Sequence, residues 1–132
     1  RYGGEATAEA IRDYIEFRDR SNRPMYMGEI GHNTMEWQAQ FRQVMEENNI
    51  GWTFWPYKKI NDSCVMGVRE PENWDLVKSF AESPRTTYQE IREARPDQAV
   101  ARKAMMDFVR NSGLENCVPQ TDYIQSLGLR VP

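Results

Sequence analysis

Two short apolar runs, Met25–Ile30 and Ile50–Trp55, separated by one amphipathic stretch, constrain the fold of this chain more than any other feature. Runs of that length, bounded by Pro24 and by Asn48-Asn49, read as buried strands. The stretch between them places Trp37, Phe41, Val44, Met45 and Asn48 on one stripe at helical spacing, so it reads as a helix packed on a core. A strand, a helix and a strand joined by a right-handed crossover pair in parallel. Parallel pairing brings Glu29 and Trp55 to the same edge of one sheet. A carboxylate beside an indole at such an edge suits sugar chemistry: the carboxylate can attack or stabilise an anomeric carbon, and the flat ring can hold a pyranose face. The same spacing also fits a helix N-terminal charge beside a core tryptophan, and strand-end position does not by itself assign chemistry.

The rest of the chain is mainly helical. Thr7 is the expected cap of a helix over about 8–20, with Ile11, Tyr14, Ile15 and Phe17 inward, and Ser21-Asn22-Arg23-Pro24 ends it. In the first strand Met25, Met27 and Glu29 fall on one side, and Tyr26, Gly28 and Ile30 on the other. Asn33 or Thr34 caps the second helix, and Asn33 with Glu36 resembles a capping box. The stretch 56–71, polar through Tyr57, Lys58, Lys59, Asp62 and Ser63, reads as a long functional loop with an extended piece near 64–68. Three helices follow. The first packs through Trp74, Val77 and Phe80, and the second turns Tyr88 and Ile91 inward. The third runs from Asp97 with Val100, Ala104, Met105 and Phe108 inward, and ends at a left-handed Gly113. Tyr123, Ile124 and Leu127 form a last amphipathic turn.

Composition removes several function classes. At 132 residues there is room for one domain with a core, and a net charge of -3 leaves no basic surplus for nucleic acid. No apolar run approaches the roughly 20 residues that span a bilayer. The chain opens Arg1-Tyr2-Gly3-Gly4 with no initiator Met and no secretory signal, as expected of the interior of a longer polypeptide or a processed one. Cys64, Cys117 and the single His32 form no zinc pattern, and two free buried thiols are expected.

Tyr26-Met27-Gly28-Glu29-Ile30-Gly31, followed by Asn49-Ile50-Gly51-Trp52-Thr53-Phe54-Trp55-Pro56-Tyr57-Lys58-Lys59, resembles the last third of a glycoside hydrolase family 5 enzyme. That family comprises cellulase-like retaining β-glycosidases, and the likeness is sharpest from Pro24 to Phe80. The resemblance implies an α/β fold class: the C-terminal portion of a TIM (β/α)8 barrel, strands seven and eight with their helices, plus a helical C-terminal extension. Residues 1–82 would form the barrel units and 83–132 the extension, packed on the same domain. Glu29 matches the catalytic nucleophile at the end of strand seven, and Trp55 the strand-eight tryptophan beside the cleaved bond.

His32, Asn33, Tyr57 and Lys58 become candidate sugar ligands, although capping or a backbone contact is the safer reading for His32 and helix capping already accounts for Asn33. Retaining hydrolysis needs a second carboxyl about 5–5.5 Å from the nucleophile. The acids before Glu29 are Glu5, Glu9, Asp13, Glu16 and Asp19, mostly on a helix, and none follows an Asn at a strand end as the family's acid/base does. The acid/base is therefore expected in a missing upstream part, and this chain by itself is not expected to turn over glycosides. The implied partners are a β-linked oligo- or polysaccharide and a companion N-terminal chain or segment completing the barrel. No cofactor or metal is implied, and the implied location is extracellular or periplasmic in a bacterium. The rival expectation is a non-catalytic glycan-binding or assembly module, because a partial barrel leaves strand edges open.

Overall fold

The computed structural model describes residues 2–32, 34–60 and 62–131. The chain forms two compact units: one runs to Gly67 and resumes at Pro119, and the other is Val68–Val118. The helix Trp74–Glu82 belongs with the helices that follow it, whereas the sequence grouping placed it with the strands.

In the first unit α1 (Arg12–Ser21) leads to β1 (Tyr26–Met27), and α2 (Met35–Glu47) leads to β2 (Gly51–Trp52). β1 and β2 are parallel, with Tyr26 opposite Gly51 and Met27 opposite Trp52, as a crossover through α2 requires. Gly51 N–H donates to the Met25 carbonyl at 3.0 Å and Thr53 N–H to that of Met27 at 3.1 Å. The other edge of β1 carries a partner that no periodicity announces. Tyr2 bridges in parallel to Ile30, its N–H donating to the Glu29 carbonyl at 2.8 Å while its own carbonyl accepts from Gly31 N–H.

The core of this unit is built on Ile11, Ile30, Phe41 and Met45, all fully buried, with Ile50 nearly so. Met25, Met27, Trp37, Trp52 and Phe54 pack against them. Two expectations are corrected here. Met27 and Ile30 enter the same cluster although they lie three residues apart, and strict alternation would oppose them. The backbone therefore rolls over between the two, so that Ile30 takes the core side and Glu29 is exposed. Of the inner face expected for α1 only Ile11, its N-cap residue, and Ile15 reach the core; Tyr14 and Phe17 are exposed, with the Arg20 guanidinium 5.9 Å over the Phe17 ring. The Thr7 hydroxyl accepts from Ala10 N–H, capping a turn that precedes α1 instead of α1 itself. Thr34 caps α2 by accepting from Trp37 N–H at 3.3 Å.

The expected long loop is tied down by pairing. β3 (Lys58–Lys59) and β4 (Met66–Gly67) are parallel, and Gln120 N–H donates to the Val65 carbonyl at 3.0 Å. The C-terminal helix Thr121–Ser126 packs Tyr123, Ile124 and then Leu127 on Val65. Gly128 follows at φ 70, where a Cβ would come within 2.9 Å of Arg42 Nε, so glycine suits both its backbone and its space.

The second unit contains α3 (Trp74–Glu82), α4 (Tyr88–Ala94) and α5 (Gln98–Asn111). Trp74 of α3 stacks on Phe108 of α5 at 4.6 Å. α4 opens with a capping box: Thr87 Oγ1 accepts from Glu90 N–H, and the Glu90 carboxylate accepts from the N–H groups of Thr86 and Thr87. Those backbone donors hold the Glu90 carboxyl down at about 2. Asp97 caps α5 by accepting from Val100 N–H at 3.0 Å.

Gly113 is not left-handed, contrary to expectation; its φ is -58. α5 closes instead by Ser112 N–H donating to Phe108 O and Gly113 N–H to Arg110 O, with the Asn116 amide on the same Arg110 carbonyl. Tyr88 and Met105, expected inward, are exposed, since three short helices offer too few opposing faces to cover them. Cys64 and Cys117 are free and buried. Among the described residues no helix is long and apolar enough to cross a membrane.

Candidate active site

β1 ends at Met27 and β2 at Trp52; Glu29 follows two residues after the one and Trp55 three residues after the other. Glu29 is held through its backbone: its carbonyl accepts from Tyr2 N–H, and its neighbour Ile30 is fully buried. Its carboxylate is thus carried on the exposed side of a segment anchored to the core.

Trp55 is 61% exposed. Its backbone is nevertheless pinned. The Tyr123 hydroxyl donates to the Trp55 carbonyl at 3.1 Å, and Gln38 Nε2 donates to the Tyr123 oxygen at 3.3 Å. Pro56, joined to Trp55 by a cis peptide bond, is buried. A fully buried amide on α2 and a buried tyrosine on the C-terminal helix therefore set where the indole leaves the sheet.

Sequence reasoning placed Tyr123 among apolar turn residues and passed over Gln38. The available signal was position: Gln38 lies three residues before Phe41 and seven before Met45, on the buried stripe of α2. An amide there requires a hydrogen-bond partner.

Burial pushes the Tyr123 phenol up to about 12, with Cys64 adding to the rise and the Gln38 hydrogen bond opposing it. Because the folded value lies above the ordinary 10.0, the stability from keeping Tyr123 protonated is complete below pH 10 and lost between pH 10 and about 12. Tyr123→Phe is expected to cost about 1 kcal/mol at neutral pH, for the hydrogen bond. It should also flatten the alkaline fall of Tm over that window. Thermal unfolding from pH 8 upward checks both, and an unchanged alkaline slope would count against this role of the phenol.

Tyr57 and Lys58 follow Trp55 directly and are both exposed, with the Tyr57 carbonyl accepting from Met66 N–H at 2.8 Å. Trp55, Tyr57 and Lys58 thus form one stretch leaving the end of β2. His32 lies elsewhere. At φ 52 its ring sits 5.7 Å from that of Trp37, and with Gly3, Gly4 and Glu5 it lines a shallow depression of about 340 Å³ on the Tyr2 side of β1. Asn33 lies outside the described residues. A cavity of about 340 Å³ at the start of α2, its lining including Met35, Glu36, Asp62, Ser63, Asp122 and Tyr123, includes neither Glu29 nor Trp55. Among the described residues no group of three or more His, Cys, Asp or Glu side chains could hold a metal ion.

Glu29 and Trp55 are thus both exposed, in the segments that follow two neighbouring parallel strands. Endoglucanase C of Acetivibrio thermocellus and Endoglucanase C307 of Clostridium sp. (strain F1) are each 27% identical to this chain over 84 residues. That stretch is 58% of this chain and 24% of each relative, so the chain spans about a quarter of their length. No family model matches the sequence, and no solved structure matches it. The chain has a distant, partial, cellulase-like relationship, at the level of glycoside hydrolases.

Proposed function

We propose that this chain is the closing portion of a family 5-like retaining β-glycosidase: strands seven and eight of a TIM barrel with a helical extension. The observation that supports the reading is the parallel pairing of β1 and β2, each followed within three residues by an exposed candidate, Glu29 after β1 and Trp55 after β2. Active sites of such barrels gather at the carboxyl ends of the strands. The endoglucanase similarity supports the same reading, and the length of those relatives leaves room for the remaining strands. Tyr26 adds support. It is 65% exposed, and its ring lies so close over Gly51 that a Cβ there would come within 2.8 Å. A complete barrel would cover that apolar face. Tyr2, bridged to Ile30, fits the end of the preceding strand.

In this reading a β-linked glucan or related glycan lies with one sugar over Trp55. The Glu29 carboxylate attacks its anomeric carbon while a carboxylic acid from the upstream portion protonates the departing glycosidic oxygen. The C–O bond breaks and a glycosyl ester forms on Glu29. Water, deprotonated by the same upstream carboxylate, then displaces Glu29 and releases the sugar with retained configuration. Tyr57 and Lys58, and His32 and Asn33 on the other side, would bind sugar hydroxyls. The route calls for no cofactor, and a polymeric substrate fits an enzyme exported from a bacterial cell.

The test is covalent trapping. The protein assembled with its upstream portion is treated with an activated 2-deoxy-2-fluoro-β-cellobioside and digested. The expected result is one glycosyl mass added to the peptide carrying Glu29. An active assembly labelled on another carboxylate would overturn the assignment. Exposure of the Tyr26 face also favours a second reading, an assembly or glycan-binding module; every assembly would then be inactive yet still bind glycan.

A further inference from the structure

The second unit carries an apolar groove that the proposed glycosidase site does not use. Its floor, about 400 Å³, is lined by Val77 and Phe80 of α3, Pro96 before α5, and Ala101 and Met105 of α5. Almost all its polar lining comes from Arg95, Gln98 and Arg102. Further along α5, outside the groove's lining, Met106 is 56% exposed and Val109 63%. Ala101, Met105 and Val109 recur every fourth residue, giving a stripe of about 12 Å at helical rise.

The charges around the groove are arranged unequally. Lys78 pairs with Glu70 at 3.1 Å, while Lys103 and Arg110 both pair with Asp107. Arg85 is occupied too, lying 3.8 Å over the Phe80 ring and donating to the Ser83 carbonyl. Arg95 and Arg102, exposed at the groove, have no carboxylate partner among the described residues. Two uncompensated guanidiniums beside a dry apolar stripe form a complement of defined sign.

We propose that this groove docks an acidic amphipathic helix of a partner protein, its apolar face on Phe80, Met105 and Val109 and its carboxylates on Arg95 and Arg102. An elongated floor with helical periodicity fits apolar side chains spaced three and four apart on the incoming helix. Exposed methionines adapt to such side chains without a fixed shape. Each guanidinium can bind a carboxylate through two parallel hydrogen bonds, which sets the sign and the register of the partner. A nucleic acid would find the wrong surface, since the floor is apolar and the chain carries a net charge of -3.

The experiment uses the intact chain and two fluorescein-labelled helical peptides of about 18 residues, five turns. One has Leu at three- and four-residue spacing flanked by Glu, and the other has Lys in place of every Glu. Fluorescence anisotropy should show the Glu peptide binding at least tenfold more tightly than the Lys peptide. Arg95→Glu with Arg102→Glu should weaken the Glu peptide at least tenfold, and Met105→Asp should do the same without any change of arginine. Circular dichroism verifies that each variant keeps its helices, and Arg102→Gln, a milder change, should give an intermediate loss. Equal binding of both peptides, no binding of the Glu peptide, or indifference to the arginine changes would overturn the proposal. Sedimentation showing a dimer that Met105→Asp dissociates, and that excludes the peptide, would also overturn it by giving the groove to a second copy.

Discussion

Glu29→Gln in the proposed complete barrel is expected to lower kcat for β-glucan hydrolysis by about 10⁴-fold or more, some 5–6 kcal/mol of barrier. The amide matches the carboxylate in shape but cannot form the glycosyl ester, so the first displacement has no nucleophile. Glu29 is exposed, and its segment is held by Tyr2 N–H on its carbonyl and by the buried Ile30, neither of which involves the side chain. KM should move little, because the sugar is held mainly over Trp55. Steady-state kinetics with an unfolding curve on the same sample separate these effects. Retention of more than a few per cent of activity would remove Glu29 from the role.

Phe41→Ala is expected to cost about 3–5 kcal/mol, the largest stability loss foreseen for a single side chain here. Phe41 is fully buried; its ring stacks on Trp37 at 4.8 Å, lies 6.1 Å from Tyr2 and meets Trp52 edge-on at 6.5 Å. It therefore joins α2 to β2 and to the Tyr2 bridge at once. The loss should be felt beyond the cavity, because a ladder as short as that of β1 and β2 is marginal without a packed face beneath it. Urea denaturation of the chain measures it. A loss under about 1 kcal/mol would mean that the ring stack is loose and its neighbours collapse into the space.

Both expectations rest on features that were unequally visible beforehand. The parallel strand–helix–strand unit was legible, because two apolar runs flanking one helical stripe leave little choice of topology. So was the cap at Asp97, and Thr34 was one of the two caps expected for its helix, since a cap is made within three or four residues of its own helix. Tyr2 was not legible: a bridge made by one residue before two glycines has no period to detect. The roll between Met27 and Ile30 was hidden for a related reason, as both faces of that strand are mostly apolar and the pattern fits either assignment. The outward turn of Tyr88 and Met105 follows from how many helices the second unit has to cover them, a property of no single segment.

The sequence by itself determined the parallel strand–helix–strand unit whose strand ends lead to Glu29 and Trp55, because side-chain period and crossover handedness act over short stretches of chain. Only the tertiary structure decided how those ends are held. Tyr2 meets Glu29, and the hydroxyl that fixes Trp55 comes from Tyr123, itself bonded to Gln38. These contacts join residues far apart in the chain, and hydrogen bonds of that kind form only where packing has already brought donor and acceptor together, which leaves no periodic trace in the sequence.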